Sequence, residues 1–151
     1  MQGYWDDFVV GDQFLSTGRT IVDADIRLFI GATDATHPAH VDAVYASKHP
    51  FGRIAAPGAL VVGVVDGFVV KSLVPAHLKI AHYGYDRVRF LAPVLVGDTI
   101  KIKATVMAKK ERNEQFGLVY FHYDVFNQDE KTVAVIEDIQ MIERRPPDPA
   151  V

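Results

Sequence analysis

The sequence contains no cysteine. Disulfide bonds, thiolate metal ligands and a cysteine nucleophile are therefore excluded. It has no long basic run and carries a formal net charge of −3, so a broad nucleic-acid-binding face is not expected. The cations that do gather, Arg87, Arg89, Lys101, Lys103, Lys109, Lys110 and Arg112, read more simply as solvated strand and turn faces than as a phosphate site. There is no glycine-rich phosphate loop and no pair of histidines at helix-face metal spacing. His37 and His40 lie three apart without an apparent third ligand, so no metal is assigned. The longest apolar stretch, residues 59–73, is broken by Gly63, Asp66, Gly67, Lys71 and Ser72, too short and too interrupted to span a bilayer. Residues 1–8 show no basic segment followed by an apolar run, so a secretory signal is not expected. No membrane association and a cytoplasmic location follow as expectations.

What the chain does have is apolar content. With 151 residues, 49% of them hydrophobic and 23% charged, it can build one core of ordinary size. No internal repeat or linker divides it. The expected domain runs over residues 1–145, and the segment 146–151, with Pro146, Pro147 and Pro149, is expected to leave it as an irregular tail.

The first half reads as helices and turns. Asp23 is placed to cap a helix over residues 24–33, with Ile26, Phe29 and Ile30 on one stripe. A polar loop over 34–40 follows, then a short helix over 42–48 capped by Asp42 and ended before Pro50. Pro57 and Gly58 open a longer helix to residue 73 that is apolar nearly all round, which requires burial on most of its surface. Its valines favour strands, but its length and the spacing of Gly63 and Gly67 favour a helix with a groove for close backbone approach. The second half alternates with the period of strands: 83–93, 98–108, 116–126 and 132–142. Ile100, Ile102, Ala104 and Val106 share one face of the second, and Val119, Phe121, Tyr123 and Val125 one face of the third. A curved antiparallel sheet wrapped around one long central helix satisfies this order economically. That is an α+β chain with the hot-dog architecture. Its open sheet edge invites a second copy, so a homodimer or larger homo-oligomer is expected.

The segment with chemical potential is 29–40, which sets Asp34, His37 and His40 on one polar loop just ahead of the Pro57–Gly58 helix start. An acid and a histidine this close can share proton transfer, or the acid can orient the ring. They can equally end a helix and satisfy loop carbonyls.

The run Thr36-His37-Pro38-Ala39-His40-Val41-Asp42 resembles the signature of the MaoC-like dehydratase and (R)-specific enoyl-CoA hydratase family, roughly Gly-Asp-x-Asn-Pro-x-His with histidine sometimes replacing the asparagine. Tyr4-Trp5-Asp6-Asp7-Phe8, Gly18-Arg19-Thr20, Phe51-Gly52-Arg53-Ile54-Ala55 and the run from Asp86 to Thr99 resemble further parts of it in the same order. The resemblance implies reversible addition of water to a trans-2-enoyl thioester of coenzyme A, giving a 3-hydroxyacyl thioester. It implies no cofactor beyond the coenzyme A of the substrate. Asp34 and His40 would be catalytic, the backbone amide of Gly58 would stabilise the thioester oxygen, and His37, Pro57, Arg87 and Arg89 would contact substrate. Two positions depart from the pattern. Read without gaps, the family's aspartate falls on Ala35 and its glycine on Asp34, so either Asp34 serves from a shifted backbone or the acid is gone and His37 or a water compensates. Pro57 stands where many members carry histidine, which implies a differently shaped acyl pocket. Two other readings fit the same architecture: an acyl-CoA thioesterase using Asp66, the one acid of the central helix, and a non-catalytic acyl-CoA-binding protein.

Overall fold

A computed structural model of the chain describes residues 3–73 and 75–146, without the side chain of residue 73. From residue 147 on, the tail expected at 146–151 lies outside the described residues. After a 3₁₀ turn at Trp5–Asp7, the elements are β1 (Gln13–Leu15), β2 (Arg19–Thr20), α1 (Asp23–Thr33), α2 (Pro38–Val41), α3 (Ala43–Lys48), α4 (Gly58–Leu73), β3 (Ile80–Phe90), β4 (Thr99–Glu111), β5 (Phe116–Phe126) and β6 (Thr132–Glu143). The strands form a six-stranded sheet in the order β1-β4-β5-β6-β3, with β2 also on β4. Every pairing is antiparallel. Helix α4 packs into its concave face, which is the hot-dog arrangement. No helix among the described residues is long and apolar enough to cross a membrane.

The alternation read from the strands is the alternation of the core. Ile100, Ile102, Ala104 and Val106 of β4 join Val119, Phe121, Tyr123 and Val125 of β5 and Ala134, Ile136 and Ile142 of β6 in one buried cluster. Helix α4 adds Val61, Val64, Val65, Phe68 and Val69, a spacing that places them on one stripe. Each such side chain withdrawn from water contributes about 1.5–3 kcal/mol before conformational entropy is set against it. The turns are made by side chains. The carboxamide oxygen of Asn113 accepts from Gln115 and Phe116 N–H at 2.9 and 2.8 Å. That of Asn127 accepts from Asp129 and Lys131, both at 3.1 Å.

The structure corrects several expectations. Asp23 does not cap α1. Val22 precedes the helix, its N–H donates to Asp25 Oδ2 at 3.0 Å, and Asp23 pairs with Arg27 one turn on at 2.6 Å. Asp42 does cap α3, accepting from Val44 and Tyr45 N–H. The 34–40 segment is not wholly loop: with Pro38 at the first helical position, residues 38–41 close into the single turn α2. Strand β3 begins earlier than expected because Lys79 and Glu143 are tied by backbone, backbone-to-carboxylate and ammonium–carboxylate bonds, which extend its pairing with β6. It ends at Phe90, ahead of Pro93. Helix α4 is covered on one side only. Ala59, Gly63, Gly67 and Val70 are exposed, and a Cβ on either glycine would meet nothing within 4 Å, so no backbone among the described residues uses that groove.

One part of the inner face is polar. Asp138, 2% exposed, stands on β6 where the alternation calls for an apolar residue. Its Oδ2 accepts from Tyr123 Oη at 2.7 Å and Gln140 Nε2 at 2.8 Å. Its Oδ1 lies 2.9 Å from His82 Nε2 without an aligned hydrogen bond. Loss of solvent pushes the Asp138 carboxyl above its ordinary value of 3.8, against the opposing pull of Gln140, Tyr123 and His82. Desolvation, aided by Asp66 and Asp138, pushes the Tyr85 phenol up to about 12. A carboxyl whose folded value is raised holds its proton more tightly in the native state. Its stabilising contribution is full below 3.8 and is lost as pH rises through the folded value. Asp138→Ala, which strands the Tyr123 and Gln140 donors, should therefore cost about 1–3 kcal/mol in urea unfolding. Asp138→Asn keeps an acceptor and should gain stability relative to the parent as pH rises from about 4 through the folded value of the carboxyl. A constant difference across that range would contradict this account.

Candidate active site

The site is organised by a short stretch of backbone between α3 and α4. On one side, Ala55 N–H donates to Ala39 O at 3.2 Å. On the other, Ala56 N–H donates to Val94 O at 2.7 Å, Val96 N–H donates to Ile54 O at 3.2 Å, and Ala55 and Leu95 form an antiparallel bridge. His40 completes the clamp: its Nδ1 lies 2.7 Å from Ala55 O. A carbonyl oxygen can only accept, so Nδ1 carries the hydrogen. In the neutral ring the lone pair is then on Nε2.

His40 and Gly58 line the same cleft, of about 390 Å³, with Phe51, Phe90, Leu91 and Pro93 among its walls. The walls are almost entirely apolar, and His40 is the one titratable residue among them. At the cleft's helical end, the first intrahelical bonds of α4 run from Leu60 and Val61 N–H to Pro57 O. The N–H groups of Gly58 and Ala59 therefore have no intrahelical acceptor and sit at the positive end of the helix dipole. Gly58 is required sterically as well, because a Cβ there would lie 2.7 Å from the Phe90 ring. An imidazole base, a free amide at a helix start and apolar walls form a site for proton transfer next to a developing oxyanion.

The other residues singled out in the sequence are not gathered here. Asp34 ends α1 in the left-handed region, φ 56° and ψ 27°. Its N–H donates to Ile30 O and its carbonyl accepts from Thr36 N–H, both at 2.8 Å. Its carboxylate is exposed, touches neither His40 nor the cleft, and has no partner among the described residues. The expected Asp34–His40 pairing is thus not formed: the left-handed turn that stops the helix leaves this side chain in solvent. His37 caps α2, its Nδ1 accepting from Ala39 N–H at 3.2 Å, with its ring edge-on to His40 at 6.1 Å and to Tyr45 at 6.0 Å. It is exposed and outside the cleft walls. Pro57 is buried and acts through its carbonyl. Arg87 lies 3.7 Å from Glu137, and Arg89 donates to Val88 O; both are exposed and neither lines the cleft. Asp66 opens on a separate cavity with His82 and Gln140. Phe51, Phe90 and Leu91 line the cleft without having been assigned a role, although they fall in segments that resemble the family. Their one further signal was large apolar residues among turn residues, and their convergence is set by pairing far along the chain.

Residues 8–124 match the family model described as MaoC like domain. The chain is 31% identical over 112 residues to Protein MaoC of Klebsiella aerogenes, covering 74% of this chain but only 33% of that protein. It is 36% identical over 103 residues to the (R)-specific enoyl-CoA hydratase of Rhodospirillum rubrum, covering 68% of this chain and 69% of that one. Among solved structures, a protein of Archaeoglobus described as a monoamine oxidase regulatory protein superposes with a TM-score of 0.86 at 31% identity, over 97% of this chain and 98% of that one. The MaoC-like dehydratase from Rhodospirillum rubrum superposes at 0.84 with 27% identity, over 95% and 99%. By the extent of the family match and these identities, the chain belongs to the MaoC-like domain family.

Proposed function

We propose that this protein is a hydratase/dehydratase that reversibly adds water to a trans-2-enoyl thioester, with coenzyme A as the carrier. The observation that supports this best is the cleft itself: His40, its ring held through Nδ1, and Gly58, whose amide has no intrahelical acceptor, line one apolar cavity. The name of the Rhodospirillum relative, an (R)-specific enoyl-CoA hydratase, points the same way. The reaction moves no net electrons and needs only acid–base chemistry, so no cofactor is proposed beyond the coenzyme A of the substrate.

In the hydration direction, His40 Nε2 accepts a proton from a water as its oxygen bonds to C3. The C2=C3 π pair shifts towards the thioester, and charge gathers on its oxygen. The Gly58 N–H, backed by the α4 dipole, meets that charge beside apolar walls, where the interaction is stronger than in bulk water. Return of a proton to C2 completes the 3-hydroxyacyl thioester. The thioesterase reading draws no support from Asp66, which faces a different cavity. The exposed small-residue face of α4 and the edge strand β3, with Tyr83 and Phe90 exposed, support assembly of two or more copies.

Three outcomes are expected. His40→Ala should lose about 100- to 10,000-fold in turnover of a trans-2-enoyl-CoA, followed by loss of the enoyl absorbance, while still melting cooperatively. Undiminished turnover would remove His40 from the mechanism. Binding without turnover by the parent protein would favour the non-catalytic reading. Gly58→Ala should lose on the order of 10- to 100-fold in turnover and about 1–3 kcal/mol in stability. Adding Phe90→Ala should recover part of the stability in a double-mutant cycle. If the two substitutions cost independently, Phe90 is not what the new methyl meets. Light scattering at micromolar concentration should return at least twice the mass of one chain; a monomer would contradict the proposed assembly.

A further inference from the structure

The hydration chemistry proposed above needs two proton transfers, one from water and one to C2, and the cleft offers one group to make them. Among the described residues, His40 is the sole titratable side chain on its walls. Each nearby candidate for a second group has another occupation or another position. Asp34 is held in a left-handed turn by hydrogen bonds through both its N–H and its carbonyl, with its carboxylate exposed and unpartnered. Ala35, which follows, has nothing to ionise. The Asp42 carboxylate is taken up by two helix-start amides, at 2.8 Å from Val44 N and 3.0 Å from Tyr45 N. His37 spends Nδ1 on Ala39 N–H and is exposed. His40, by contrast, has its ring fixed through Nδ1 to Ala55 O and one nitrogen free.

We infer that His40 alone makes both transfers. Its Nε2 takes a proton from the attacking water as the O–C3 bond forms and the water O–H bond breaks. The C2=C3 π pair passes into the enolate of the thioester. The Nε2–H so formed then gives that proton to C2, whose new C–H bond takes up the enolate pair, and the imidazole returns to its starting state. One water supplies both the hydroxyl and the hydrogen, so atoms and charge balance without a second residue. Because both leave or arrive through one nitrogen, they add to the same face of the double bond. Dehydration is the same path reversed, and it too begins with Nε2 unprotonated.

This inference rests on the hydratase reading but makes a separate demand. A mechanism with distinct acid and base partners needs one protonated and one deprotonated, and kcat/KM then falls on both sides of an optimum. With a single base, kcat/KM rises with pH to a plateau and has no alkaline limb, in hydration and in dehydration alike. The experiment measures kcat/KM against pH in both directions for the parent and for Asp34→Asn, with melting curves at each pH to define where the fold persists. Asparagine accepts the left-handed backbone at least as well as aspartate, and Asp34→Gly, which accepts it freely, serves as a second variant. The expected result is one acid limb in every case, with both variants within about threefold of the parent, against the roughly 100-fold or larger loss that removal of a general acid or base brings. An alkaline limb in the parent, or a loss of that larger size in folded Asp34→Asn and Asp34→Gly, overturns the single-base assignment and leaves hydration standing. A parent protein that hydrates no enoyl thioester, whatever its chain length or branching, overturns the hydratase reading and the single-base assignment with it.

Discussion

The hydrogen bonds on the two sides of residues 54–56 are the constraint on which the site depends. This backbone belongs to no helix and is bonded on one side to the α2 turn and on the other to residues 94–96. Ala55 alone donates to Ala39, accepts from His40 and bridges to Leu95. Two residues later the chain enters α4. The histidine and the amide to which the proposed reaction assigns the proton and the oxyanion are therefore positioned by the same few peptide groups. Buried peptide groups must find partners, and Ala55 and Ala56 are buried, so the clamp is also what makes this segment tolerable inside the protein.

The sheet supplies the other half of the arrangement. Its concave face grips α4 along the stripe from Val61 to Val69, and the pairing of β3 with β6 brings Phe90 against Gly58. Glycine at the helix start lets an aromatic wall come close to the free amides, which narrows the cleft. The polar seam around Asp138 lies elsewhere on the inner face, with Tyr123, Gln140 and His82. There the alternation of β6 keeps its inward direction while its chemistry turns from apolar to ionic, and the donors around the carboxylate offset much of the cost of burying it.

The parts of this fold legible in the sequence are those fixed by local period. The alternation of residues 116–126 gave β5 to the residue, because each inward side chain there is apolar. The start of α4 followed from Pro57 and Gly58, and the cap of α3 from Asp42. What was not legible depends on distant partners. No local feature distinguishes Asp23 from Asp25 as the residue serving the start of α1; Arg27 and Arg19 decide it by claiming one each. The early start of β3 depends on Glu143, 64 residues away from Lys79. At the site, His40 and Gly58 were named from pattern, but the carbonyl of Ala55 that fixes the histidine tautomer has no signature at all, since every residue carries one. Asp34, at the end of α1, was named from its nearness to His40 in the chain and from the resemblance. In the structure the same position supplies a local reason, because aspartate is among the few residues other than glycine that enter the left-handed turn readily.

Removing the acid from the cleft changes the electrostatics of the resting site. A histidine paired with a carboxylate in an apolar cavity buries a negative charge, which must be compensated before a neutral substrate and water are bound. A lone imidazole in its neutral form buries none. In the proposed single-base reaction, charge appears only during turnover, as an imidazolium on His40 and an enolate oxygen near Gly58. Both would form beside the same apolar walls, where each stabilises the other more strongly than bulk water would allow. The pair is created and discharged within one turnover, and the proton never has to leave the cleft. Apolar walls such as Phe51, Phe90 and Leu91, which would weaken a site dependent on a resting carboxylate, suit the proposed reaction, whose charges exist only in transit.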